Sequence, residues 1–189
     1  MGFIVETLSL PQVREVYRRH MTADFPDDER KPLTAIEAAL RRGEYRCFGA
    51  LRNGEVLAYA FFVCLEGLWL FDYLAVLPAL RGAGLGSAFL TALRADHMAE
   101  ADCVLLEVDD PDAAEDPAER ETRLRRLRFY LHNGLTDTGL TAEVWHVQYR
   151  ILEIPLNGRH TAAETRGLYD RLYRAIMPGP VYRRMVHIH

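Results

Sequence analysis

Apolar residues along the chain recur at two spacings, near two and near 3.6, which predicts strands and helices in alternation. Phe3 to Leu8 reads as a short first strand. Ser9-Leu10-Pro11-Gln12 then forms a capping box, with Pro early in the helix, where its missing N–H costs little. Leu10, Val13, Val16, Tyr17 and Met21 follow at helical spacing, and Phe25 to Pro32 breaks that helix. A second capping box, Thr34 to Glu37, leads Ile36, Ala39 and Leu40 to a stop at Gly43. Tyr45 to Leu51 and Val56 to Leu65 flank Asn53-Gly54, a strong hairpin signal. Glu66-Gly67 is a further turn, and Leu68 to Val76 completes an antiparallel meander. A Pro/Gly-rich loop, Pro78 to Gly86, opens a helix through about Met98 with Phe89, Ala92 and Leu93 as its apolar stripe.

Cys103 to Val108 is almost unbroken apolar sequence, as expected of a strand buried on both faces beside a parallel neighbour. Asp116 to Glu119 caps a helix that ends at Asn133-Gly134. Val144 to Ile154 reads as one long strand, Thr161 to Glu164 caps a helix to about Ile176, and Val181 to Ile188 reads as a last strand. The predicted class is α+β: a mixed, mainly antiparallel twisted sheet with a central β-α-β crossover, flanked by helices. General chirality makes that crossover right-handed.

Composition narrows the function classes. The chain has 189 residues, is 49% hydrophobic and 26% charged, and is long enough to bury a core without metal or disulfide. A net charge of −4 excludes a uniformly basic nucleic-acid binder. Cys47, Cys64 and Cys103 lie in apolar stretches without CxxC spacing, so buried reduced thiols and a cytoplasmic location are expected. The N-terminus predicts no signal peptide. The longest apolar stretch, Val56 to Leu77, is interrupted by Glu66, Gly67 and Asp72, so no membrane span is expected. His187 and His189 alternate at the end of the sequence, without a nearby Cys or acidic partner, and no metal site is expected.

The informative segment runs Leu74-Ala75-Val76-Leu77-Pro78-Ala79-Leu80-Arg81-Gly82-Ala83-Gly84-Leu85-Gly86-Ser87. A strand enters a glycine-rich turn that opens a helix. Such a turn leaves backbone N–H groups unpaired and aims the positive end of a helix at whatever docks there, most naturally a phosphate. Gly82 and Gly84 fit the start of a dinucleotide fingerprint, GxGxxG, but position 87 is Ser. The phosphate loop GxxxxGK[ST] is excluded, because Lys31 is the only lysine. A glycine-rich turn with no ligand is the plain alternative, and the third ligand-binding reading is Arg-x-x-Gly-x-Gly, matched at every fixed position by Arg81 to Gly86.

That motif resembles the acyl-CoA-binding motif of the GNAT N-acetyltransferase family. Leu74-Ala75-Val76 with Pro78 is also similar to that family, as is the helix segment Tyr130-Leu131-His132-Asn133-Gly134-Leu135. Phe25-Pro26, Glu29 and Pro32 resemble a segment of one group of bacterial members. The likeness covers residues 3 to 154 and implies an N-acetyltransferase domain over 1–157. Residues 158–189 would add a C-terminal helix and strand to the same domain. Three features depart from the family pattern: the long acidic loop before Tyr130, Asp109-Asp110-Pro111 in place of an Asn, and the tail after Asn157.

The resemblance implies acetyl-CoA as co-substrate. Backbone groups of Leu74, Ala75 and Val76 would take the pantetheine arm. N–H groups around Gly82, Ala83, Gly84, Gly86 and Ser87 would take the pyrophosphate, with Arg81 beside them. Tyr130 would be the proton donor to the departing thiolate, or else a helix tyrosine packed beside Phe129. Asp72 and Glu107 are the candidate bases, each with a structural ion pair as its alternative. An isolated buried Glu107 would need a partner such as an arginine or a ligand amine. The implied reaction is direct attack by a primary amine, of a small molecule or peptide, in a ternary complex. A non-catalytic CoA-sensing module on the same fold is the alternative. A homodimer through the C-terminal strand is compatible with the family.

Charge is uneven along the chain. Residues 107 to 121 hold eight carboxylates against Arg120, and Arg123, Arg125, Arg126 and Arg128 follow. This cluster either balances its own acidic loop or turns one arginine toward the acceptor or the CoA phosphates. Asp24, Asp27, Asp28 and Glu29 either form an exposed polar loop or favour a cationic acceptor.

Overall fold

The computed structural model describes residues 2–27 and 29–189, so Asp28 lies outside the described residues. Eight strands and six helices give the expected α+β class. They cluster into two compact units, Met1–Cys64 with Phe71–Glu100, and Leu65–Leu70 with Ala101–His189.

In the first unit, β1 (Ile4–Thr7) pairs antiparallel with β2 (Tyr45–Arg52), and β2 pairs antiparallel with β3 (Glu55–Leu65). Asn53 and Gly54 adopt φ of 52° and 82°, which closes the predicted two-residue hairpin. β4 (Leu68–Val76) lies next to β3. Helix α1 (Leu10–Val16) begins with the predicted Ser9 box, in which Gln12 Oε1 accepts the Ser9 N–H at 2.9 Å. It then widens into a π-helical turn, Tyr17–Met21, before a single helical turn, Thr22–Asp24. That wider winding rotates Asp24 out of the face a continuous α-helix would give it.

Helix α2 (Leu33–Arg42) corrects one expectation. Pro32 is its N-cap and its carbonyl accepts the first helical N–H groups, so Thr34 lies inside the helix and caps nothing. The helix stops at Gly43 as predicted, at φ 76°. Helix α3 (Leu85–Asp96) follows the glycine-rich turn. Val13, Met21, Ile36, Phe61, Phe62, Phe89 and Leu93 make the core of this unit, with Phe62 stacked on Phe71 at 4.3 Å.

The second unit carries the strand order β5-β7-β6-β8. β5 (Cys103–Asp109) runs antiparallel to β7 (Val147–Ile154), β7 to β6 (Thr136–Val144), and β6 to β8 (Val186–Ile188). Helix α4 (Pro117–His132) starts where Asp116 accepts the N–H groups of Ala118 and Glu119, both at 2.8 Å. Helix α5 (Ala162–Ile176) starts with the predicted Thr161–Glu164 box. Helix α6 is Gly179–Met185.

Two expectations fail here. The strand expected over 144–154 is the second half of a hairpin whose first strand, β6, was unanticipated. Its turn is Trp145-His146, at φ 52° and 69°, positions where Asn and Gly are the usual signal. The last strand expected over 181–188 is mostly α6, started by Pro178 and Pro180, and only Val186–Ile188 is extended.

Candidate functional site

The glycine-rich turn folds as its sequence suggests. β4 ends at Val76, Pro78–Leu80 make one 3-10 turn, and Gly82 and Gly84 follow with φ of 79° and 78°. These are left-handed conformations that only glycine adopts without strain. A side chain at either position would meet nothing within 4 Å, so the glycines supply backbone shape and open space together. Gly84 is the N-cap of α3 and no side chain caps that helix. The first-turn N–H groups of Leu85, Gly86 and Ser87 therefore have no intrahelical acceptor, and the positive end of the helix faces an open approach. This fits a diphosphate.

Arg81 does not stand free beside that turn. Its Nε–H donates to the Val76 carbonyl at 2.9 Å, and its guanidinium also donates to Asp24 Oδ1 at 2.6 Å. The Asp24 side chain is 4% exposed, and its other oxygen accepts the Tyr59 hydroxyl at 2.8 Å. Arg81 thus ties the end of β4, the turn and the π-wound segment together. Asp24 is the anchor, and it sits on a helical turn rather than in a loop. Asp27 pairs with Arg30, and the Glu29 carbonyl accepts the Tyr73 hydroxyl at 2.9 Å.

Asp72 sits in a second cluster of the same unit. One of its oxygens meets Lys31 Nζ and the other accepts the Tyr45 hydroxyl. Around them, Tyr73 Oη accepts the Lys31 N–H at 2.9 Å and the Tyr17 hydroxyl donates to the Lys31 carbonyl at 3.1 Å. Burial is the main cause that pushes the Tyr45 and Tyr73 hydroxyls up, with Asp72 adding to it, so both stay protonated.

In the second unit, Glu107 on β5 is met by two tyrosines. Its Oε1 accepts hydroxyls from Tyr169 and Tyr173, one turn apart on α5. Tyr130 on α4 is 7% exposed and packs edge-on to Phe129 at 5.2 Å. Among the described residues its hydroxyl has no hydrogen-bond partner. Burial chiefly pushes it up, Arg126 opposes and Asp109 adds, so it is held as a phenol.

The arginines of α4 largely balance the acidic loop. Arg123 donates to Glu119 at 2.7 Å and to the Asp110 carbonyl at 2.8 Å. Arg126 donates to Asp109 at 2.9 Å, and Arg128 to Glu121 at 3.1 Å. Asp110, in the position of the missing Asn, is taken by Arg150 at 2.9 Å.

Sequence reasoning missed Asp24, Tyr45 and Lys31 as partners of the first unit's candidates, and Tyr169 and Tyr173 as partners of Glu107. No local motif marks them, because each partner is brought up by tertiary structure.

The fold is shared with solved acetyltransferases. A protein from Bacteroides thetaiotaomicron described as a GNAT-family acetyltransferase superposes with TM-score 0.68 at 18% identity, over 90% of this chain and 96% of that one. The ribosomal-protein-S18-alanine N-acetyltransferase from Escherichia coli gives 0.61 at 18% identity, over 84% and 97%. A protein from Salmonella typhimurium described as an acetyltransferase, with its cofactor acetyl-CoA, gives 0.56 at 18% identity, over 85% and 98%. No curated protein matches the chain by sequence. The sequence model of the Acetyltransferase (GNAT) family matches residues 10–117, more than half of the chain, and the chain belongs to that family.

Proposed function

We propose that this protein uses acetyl-CoA to acetylate a primary amine, by direct attack of the amine in a ternary complex. The observation that carries this reading is the turn from Arg81 to Ser87: two left-handed glycines with open space, leading into an uncapped helix. Acetyl-CoA supplies the thioester, and the remaining work falls to the chain. N–H groups from Gly82 to Ser87 hold the pyrophosphate. The edge of β4 at Leu74, Ala75 and Val76 takes the pantetheine amides, with Arg81 fixing the Val76 end.

The Tyr130 phenol donates its proton to the departing thiolate, a role open to a protonated hydroxyl with no hydrogen-bond partner among the described residues. The amine must lose a proton to a carboxylate. Asp72 reaches its surroundings through Tyr45 and Lys31, and Glu107 through Tyr169 and Tyr173, so removal through either is relayed by hydroxyls.

The test is calorimetric titration with acetyl-CoA, followed by turnover across a panel of primary amines. Binding at micromolar concentrations with thiol release is expected. Tyr130→Phe should lower kcat by about 100-fold with unchanged acetyl-CoA affinity. Absence of binding sinks the reading, and binding without turnover on any amine favours the CoA-sensing alternative. Asp72→Asn and Glu107→Gln separate the two carboxylates, because only loss of the base removes the acidic limb of the pH–rate profile.

A further inference from the structure

Cys103, Glu153 and His160 come together inside the second unit. Cys103 opens β5, Glu153 lies near the end of β7, and His160 immediately precedes the cap of α5. The register pairs Leu105 with Glu153, so Cys103, two residues back on β5, shares a sheet face with Glu153. His160 Nδ1 lies 2.5 Å from Glu153 Oε1, and the His160 backbone N–H donates to Glu153 Oε2 at 3.2 Å. Cys103 Sγ is 3.9 Å from the same Oε1.

Among the described residues, Glu153 is the only charged residue buried as a whole, at 2% exposure. Among the described residues no lysine or arginine forms a salt bridge with it, and His160 is its ionic partner. A carboxylate buried this deeply is costly unless a cation or donors compensate it.

We infer that Cys103, Glu153 and His160 form a binding site for a borderline transition-metal dication, zinc in the first instance. The three donor atoms lie within 4.8 Å of one another. A tetrahedral zinc ion with bonds of about 2.0–2.3 Å keeps its donors roughly 3.5 Å apart, so small side-chain rotations admit the ion. One thiolate, one imidazole and one carboxylate make a donor set that suits zinc and cobalt and disfavours magnesium or calcium. Cys103 and Glu153 are buried, whereas the His160 side chain is 32% exposed, which leaves an entry route and an open fourth position on that side. Coordination would release the Cys103 thiol proton to solvent. The ion would join β5, β7 and the start of α5, cross-linking these elements.

The test uses the full chain, stripped with chelator and titrated with cobalt, then zinc. One cobalt per chain, a thiolate-to-cobalt absorption band and displacement by zinc are expected. Cys103→Ser and His160→Gln should each abolish that band or weaken binding by at least about 10-fold. No stoichiometric metal, or cobalt bound without the thiolate band, overturns the site, as does binding unchanged in both variants. The wild-type spectrum decides the question even where a variant fails to fold.

Discussion

Replacing Gly84 separates what its backbone does for the fold from what it does for a ligand. Gly84 sits at φ 78°, ψ 1°, and a side chain there would meet nothing within 4 Å. Gly84→Ala therefore costs only the left-handed conformation, about 1–2 kcal/mol. A lower unfolded-state entropy offsets roughly 0.4–1 kcal/mol of that. The net loss, about 1 kcal/mol, lowers the melting temperature of a chain this size by roughly 2–4 °C. Gly84→Glu has the same backbone cost, but its carboxylate lies at a helix N-terminus, where negative charge contributes about 0.3–1 kcal/mol. It should thus be at least as stable as Gly84→Ala. Binding should go the other way. Two like charges about 4 Å apart near a protein surface repel by up to roughly 4 kcal/mol, so acetyl-CoA affinity should fall by up to about 1,000-fold. Thermal unfolding and calorimetry on the two variants read both quantities. Equal acetyl-CoA affinity in the Glu and Ala variants would refute the pyrophosphate assignment.

Three further outcomes follow from side chains whose partners are known. Asp24→Asn removes the charge that anchors Arg81 and Tyr59 and should cost about 1–3 kcal/mol, read by denaturant unfolding; an unchanged midpoint contradicts the anchoring role. Thr165 is fully buried on α5 and its hydroxyl has no partner among the described residues, so Thr165→Val should be neutral or stabilise by up to about 1 kcal/mol. A clear destabilisation would reveal a hidden polar partner. Hydrogen bonds from Arg174 and Tyr182 hold the Asp170 carboxyl below its ordinary range. Its stabilisation is therefore complete above the unfolded-state value of about 4 and is lost as pH falls through the lower folded value. Asp170→Asn should flatten the acid limb of stability against pH.

Elements whose signals are local were legible in the sequence. The Asn53-Gly54 turn, the Gly43 stop, the Ser9, Asp116 and Thr161 caps and the glycine turn before α3 all depend on residues within a few positions of one another. The β6–β7 hairpin was not legible, because Trp145 and His146 carry none of the usual turn chemistry. The Trp145 N–H is instead satisfied by the Met185 carbonyl at 3.0 Å, forty residues on. Thr34 was misread because a capping box describes side chains, whereas the Pro32 carbonyl does the accepting. At the candidate site, Arg81 to Gly86 and Tyr130 could be picked out by motif. The ties from Asp24 to Arg81, from Lys31 to Asp72, and from Tyr169 and Tyr173 to Glu107 span 57, 41, 62 and 66 residues, and no local pattern encodes them.

The pairing of Lys31 with Asp72 has a practical consequence. Lys31 is the chain's only ε-amine, and it is bound to one of the two candidate bases. An enzyme that acetylates amines would then carry a single lysine target for self-modification. A gain of one acetyl mass on the peptide containing Lys31, or its protection from an amine-reactive label, would report directly on the state of that carboxylate. With one lysine among 23 basic residues, the readout needs no mutagenesis to isolate it.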